Sequence, residues 1–118
     1  MVKKVLIIED DRDTLDALTF IAEDLNLEVT NSSRIILVAD IEALSPQLIL
    51  LDHWVHGSIG GDLCLAIKAD PAIKHIPVIL VSAHSNIQQL AIKCGADGFL
   101  EKPFNLEEIT AVITKWLF

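Results

Sequence analysis

A chain of 118 residues, 52% of them hydrophobic, has room for one folded domain with its own core and none for a second. Seventeen acidic against nine basic residues leave a formal net charge of −8, which disfavours direct binding to nucleic acid or to an anionic membrane and suits a divalent cation or a cationic partner surface. Met1-Val2-Lys3-Lys4 is followed by only four apolar residues before Glu9-Asp10-Asp11, far short of an export sequence, and no stretch approaches a transmembrane span, so a cytoplasmic protein is expected.

Val5-Leu6-Ile7-Ile8 is a continuous apolar run, the pattern of a strand covered on both faces. Arg12 to Leu25 follows with Leu15, Leu18, Ile21, Ala22 and Leu25 on one stripe, which predicts an amphipathic helix whose first-turn acids suit its dipole. Glu28–Asn31 reads as a short second strand, and Ser32 or Ser33 is expected to cap a second helix from Arg34 to Leu44, closed by Ser45-Pro46. That helix is β-branched and apolar on more than one face. The third strand, Leu48 to Leu51, ends at Asp52, and a glycine-containing loop over 53–60 leads into a helix from about Gly61 to Ala69, closed by Asp70-Pro71. Pro77 opens the fourth strand, Val78 to Val81; Ser85 or Asn86 caps a short helix and Gly95 stops it. Gly98-Phe99-Leu100 is the fifth strand, and Asn105 caps a last helix whose buried side is expected to hold Leu106, Ile109, Val112, Ile113, Trp116 and Leu117. Cys64 and Cys94 fall in helical patterns with no His or Cys at metal-ligand spacing and read as small buried apolar residues rather than a disulfide or zinc site.

Strands alternating with helices imply right-handed crossovers and a parallel sheet, with all strand carboxyl ends on one edge, where ligands of such folds bind. Glu9, Asp10, Asp52, Ser82 and Lys102 each sit at or just past such an end. Singly, each is an ordinary polar residue meeting solvent where the core stops. Together, three carboxylates near one another need a cation, and oxygen-only ligands in a water-accessible crevice suit Mg²⁺ and not zinc. Lys102 and Ser82 add a point cation and a hydroxyl donor suited to phosphoryl oxygens, which leaves Asp52 as the nucleophile that forms an acyl phosphate.

The stretches Val5-Leu-Ile-Ile-Glu-Asp-Asp11, Leu48-Ile-Leu-Leu-Asp52, Gly60, Pro77-Val-Ile-Leu-Val-Ser-Ala83 and Gly95-Ala-Asp-Gly-Phe-Leu-Glu-Lys-Pro-Phe104 resemble, in type, order and spacing, the receiver domain of bacterial two-component response regulators, the CheY-like family. The resemblance spans residues 1–118. It implies a three-layer α/β/α, flavodoxin-like fold with a five-stranded parallel sheet in order 2-1-3-4-5 and five helices. It implies Asp52 as phosphoacceptor, Glu9 and Asp10 as the metal-binding pair, a backbone carbonyl of Trp54 as a further ligand of Mg²⁺, Ser82 as switch hydroxyl, Phe99 as aromatic switch and Lys102 as the phosphate-contacting lysine, with a cis Lys102-Pro103 bond. Asp11 is left at the mouth of the first helix. His56 stands where a proline is common, and Trp54 and His84 hold the variable positions thought to tune hydrolysis.

The implied function is a signalling phosphoacceptor, not an enzyme with a separate substrate, that assists its own phosphotransfer and dephosphorylation. It takes a phosphoryl group from a phosphohistidine on a sensor kinase or phosphotransfer protein and changes which partner it binds. The first helix is expected to dock the kinase and residues 86–118 the downstream protein, without nucleic acid or membrane. The alternative is a pseudo-receiver that kept the fold without phosphorylation, although such proteins tend to lose the residues intact here. A flavodoxin-like cofactor protein lacks its phosphate-cradling first loop, and an aspartate-nucleophile phosphatase needs an acid where Trp54 stands.

Overall fold

The computed structural model describes residues 2–118. Its elements, in chain order, are β1 (Lys4–Ile8), α1 (Arg12–Asp24), β2 (Glu28–Ser32), α2 (Val38–Leu44), β3 (Leu48–Asp52), β4 (Trp54–Val55), β5 (Ser58–Ile59), α3 (Gly60–Ala69), β6 (Val78–Ser82), α4 (Ile87–Cys94), β7 (Gly98–Glu101) and α5 (Leu106–Leu117). Five strands form one parallel sheet in the order β2-β1-β3-β6-β7, which is the expected 2-1-3-4-5 arrangement once the small β4-β5 hairpin is set apart.

Side chains alternate across a strand, so continuous apolar runs feed two cores at once. Leu6, Ile8, Ile49, Leu51 and Leu80 face Ile41 of α2, Leu63, Cys64 and Ile67 of α3 and Ile87, Ala91 and Cys94 of α4. Val5, Ile7, Leu50, Ile79, Val81 and Leu100 face Leu15, Leu18, Ile21 and Ala22 of α1 and Ile109, Ile113 and Leu117 of α5. Each such fully buried aliphatic side chain contributes roughly 1.5–3 kcal/mol. This two-sided burial fixes the register that brings Ile8, Leu51 and Leu80 level across the central strands, so their carboxyl ends open on the same edge.

Local chemistry sets the helix ends. Asp11 caps α1, accepting the Thr14 amide at 2.9 Å. Gly95, at φ 77°, takes the left-handed C-cap of α4, and Asn105 closes a capping box with Glu108 on α5. The Lys102-Pro103 bond is cis.

Four expectations change. The second helix starts at Val38, not Arg34, and neither Ser32 nor Ser33 caps it: Ser32 ends β2, and its Oγ donates to the Arg34 carbonyl at 2.7 Å and accepts the Arg34 amide at 3.1 Å. That local turn outcompetes helix nucleation over a β-branched stretch. At α4, Asn86 takes the expected N-cap position, but at φ −101° and ψ 30°, outside the extended region usual for a cap, its side chain makes no capping bond. The loop over 53–60 contains a hairpin, β4-β5, turned by His56 at φ 48° and Gly57 at φ 78°; positive φ at both central residues is what a two-residue type I′ turn needs. Leu106 is 53% exposed, and the buried stripe of α5 begins at Ile109.

Candidate functional site

Among the described residues, the buried polar or charged ones are Glu9, Asp52 and Ser82, and all three lie at the carboxyl edge of the sheet. β3 is central, so Asp52 emerges between the ends of β1 and β6. Its neighbour His53 continues the ladder by donating its amide to the Val81 carbonyl at 2.9 Å, which holds the strand straight to the point where Asp52 turns into the crevice.

Glu9, Asp10 and Asp52 each bring a carboxylate oxygen within 4.8 Å of the others. Lys102 Nζ lies 2.8 Å from Glu9 Oε1 and 3.6 Å from Asp52 Oδ2. One cation thus faces two of the three acids. Burial first, and the Glu9 carboxylate beside it second, push Asp52 up to about 8. Burial works against a charged Lys102, yet Glu9 and Asp52 outweigh it and raise the lysine above its ordinary value. Asp10, at the rim, also resists a small burial effect and is held below the usual range by the His56 amide, which donates to its Oδ2 at 2.9 Å. Asp11 points away into its cap, where the Thr14 hydroxyl and amide lower it.

Ser82 ends β6 on the far side of Asp52 from β1, and its Oγ accepts the His84 amide at 3.0 Å. Lys102 is held beside it by its own amide, which donates to the Ser82 carbonyl at 2.8 Å. The structure therefore brings Glu9, Asp10, Asp52, Ser82 and Lys102 to one place. Trp54 donates its amide to Asp52 Oδ1 at 3.4 Å while its side chain is 57% exposed. Phe99 lies apart from the acids: 40% exposed on β7, it borders a cavity of about 350 Å³ between α4 and α5, with Ile92 and Trp116.

Three contacts escaped the sequence reading, although Gly60 stood among the motif residues. A Cβ on Gly60 would stand 1.9 Å from the Asp52 carbonyl oxygen, so the start of α3 can lie against the strand end only because this residue has no side chain. The His56 amide on Asp10 depends on the I′ turn, for which His56-Gly57 was the available signal. His53 is wedged under Gly61, whose missing Cβ would lie 3.2 Å from the imidazole; no sequence pattern marks that contact.

A family model, the response regulator receiver domain, matches residues 5–114. The nitrogen assimilation regulatory protein NtrX of Azorhizobium caulinodans is 34% identical over 99% of this chain, which spans 26% of that protein. The DNA-binding response regulator MtrA of Mycolicibacterium paratuberculosis is 29% identical over 94% of this chain, which spans 49% of its length. Among solved structures, the receiver domain of sensor histidine kinase PA1611 from Pseudomonas aeruginosa PAO1, with a magnesium ion coordinated in its active site cleft, superposes with a TM-score of 0.87 at 21% identity, covering 98% of both chains. With nearly its whole length matched by the family model, the chain belongs to the response regulator receiver domain family.

Proposed function

We propose that Asp52 is the phosphoacceptor of this receiver, taking a phosphoryl group from a phosphohistidine on a sensor kinase or phosphotransfer protein. The observation that carries the reading is the buried Asp52 set between an acidic pair and the Lys102 ammonium at 3.6 Å. Three hard oxygen donors within 4.8 Å of one another, open to water at Asp10, fit Mg²⁺, with Glu9, Asp10, Asp52 and the Trp54 carbonyl as the residues that would hold it. When bound, Mg²⁺ neutralises charge on the carboxylates and on incoming phosphoryl oxygens.

The chain's own residues do the rest. An Asp52 carboxylate oxygen attacks phosphorus, the P–N bond to the donor imidazole breaks, and the imidazole leaves with the electron pair. Lys102 already faces Asp52 and is placed to turn its ammonium toward the phosphoryl oxygens as they arrive. Ser82 gives up the His84 amide and donates its hydroxyl to the phosphoryl group, and Phe99 moves from its half-exposed position into the neighbouring cavity. Those motions alter the surface of α4, β7 and α5, where a downstream protein would read the state. The net charge of −8 favours a protein at that surface over direct contact with nucleic acid.

The test is intact mass after incubation with Mg²⁺ and a small acyl phosphate, comparing the parent with Asp52→Asn. A Mg²⁺-dependent gain of one phosphoryl group, absent from the variant, is expected. A folded parent that gains nothing even from a phosphorylated histidine donor would move the domain to the phosphorylation-independent class.

A further inference from the structure

The two cysteines play no part in that chemistry, and they are packed together. Cys64 on α3 and Cys94 at the end of α4 share one core cluster. Gly61, one turn before Cys64 and on the same helix face, would place a Cβ 3.6 Å from the Cys94 Cβ, so the helices touch along the face that carries both thiols. Cys94 is nearly buried, yet it lines a cavity of about 250 Å³ between α3 and α4, walled by Ile59, Leu65 and Leu90. A small neutral molecule can reach this thiol without unfolding the core, whereas Cys64 lies deeper and lines no such opening among the described cavities.

We propose that Cys94 and Cys64 are an oxidisable pair: a hydroperoxide entering the α3-α4 cavity oxidises Cys94, and Cys64 resolves it into a disulfide that ties the two helices together. The two thiols perturb each other in opposite senses. The Cys64 thiol is the first cause that pushes Cys94 down to about 6, against burial, while Cys94 and then burial push Cys64 up. Cys94 is thus the more readily deprotonated thiol and stands at the cavity, with its own S–H directed to the Ala91 carbonyl at 3.6 Å, and Cys64 is the partner behind it. The Cys94 thiolate attacks the terminal peroxide oxygen; the S–O bond forms, the O–O bond breaks, and the leaving oxygen departs as water or alcohol after taking a proton. Cys64 sulfur then attacks Cys94 sulfur, the S–O bond breaks, and hydroxide leaves with the Cys64 proton as water. Two thiols lose two electrons and the peroxide gains them.

The experiment treats the folded parent with hydrogen peroxide, quenches with an alkylating reagent, and reads intact mass and peptide maps, with a small free thiol in the same tube as an internal standard. The expected result is loss of two hydrogens, a Cys64–Cys94 cross-link restored to thiols by dithiothreitol, and no linked dimer. Cys64→Ala should instead gain one oxygen on Cys94, and Cys94→Ala should leave Cys64 unmodified. A parent that stays reduced while the standard thiol is consumed overturns the proposal whether or not the variants fold. First oxidation at Cys64, or a disulfide between two chains, overturns it as well.

Discussion

Replacing Asp52 by Asn should stabilise the fold when no divalent cation is present. Carboxylate oxygens of Glu9, Asp10 and Asp52 lie within 4.8 Å of one another, so at an effective dielectric of about 20 each like-charge pair costs at least roughly 3.5 kcal/mol. Against this stands the Lys102 attraction at 3.6 Å, worth roughly 4.6 kcal/mol on the same scale. Removing the Asp52 charge abolishes two repulsions and one attraction, a net gain of about 2 kcal/mol, and relief of its burial adds to the same side. For a chain of 118 residues that is a rise in melting temperature of about 6–10 °C.

The pH dependence has a definite sign. Asp52 is raised from 3.8 to about 8, so the native state binds more protons than the unfolded chain between those values, and the parent loses stability as pH rises through that window. Asn does not titrate. The gap between the variant and the parent should therefore be small near pH 4, widen upward and level off above about pH 8. The assay is thermal or urea unfolding in chelator from pH 5 to 9, repeated with saturating Mg²⁺, which should stabilise the parent more than the variant and narrow the gap. A variant that unfolds with or before the parent at pH 9 in chelator, or a gap that ignores pH, would refute the account of the acidic cluster.

Lys102→Met should move the other way, lowering metal-free stability at high pH because Glu9 and Asp52 lose the ammonium they face; equal unfolding midpoints for parent and variant would count against that ion pair. Gly60→Ala should cost about 1–3 kcal/mol, since the added Cβ meets the Asp52 carbonyl oxygen at 1.9 Å and backbone must shift; urea midpoints with an unchanged slope measure it, and an unaffected midpoint refutes the close approach. Trp54→Ala should shorten the lifetime of the acyl phosphate proposed at Asp52 if the bulky residue two positions on, whose amide reaches Asp52 Oδ1 at 3.4 Å, swings over it to exclude water; dephosphorylation no faster than the parent's, followed by intact mass, argues against shielding. Asn105→Ala removes the capping box of α5 and should lower stability by about 1 kcal/mol without altering phosphate uptake.

What the sequence made legible follows from how strongly each segment is constrained. Runs such as Val5–Ile8 and Leu48–Leu51 are short, continuously apolar and rich in β-branched residues or closed by turn signals, which a covered parallel strand satisfies, and once the strands are placed the polar residue after each is placed too. Asp52, Ser82 and Lys102 could be located from one dimension for that reason. Segments whose backbone is decided by a single hydrogen bond were not legible in the same way. Ser32 has the chemistry of a helix cap, but its hydroxyl closes a turn on Arg34, and nothing in residue type separates the two uses.

The hairpin after Asp52 carries that difference into the site itself. His56 stands where the family commonly has proline, which from sequence alone reads as a loosened loop. In the fold the position carries a contact that proline could not make. Proline has no amide hydrogen and is confined to φ near −65°, whereas His56 sits at φ 48° and donates its amide to Asp10 at 2.9 Å. Loss of proline rigidity is replaced by a hydrogen bond to one of the acids proposed to hold the metal, in a turn that Gly57 makes possible at φ 78°. The position of Asp10 therefore depends on the chain 46 residues further on, through a backbone group that residue identity does not display.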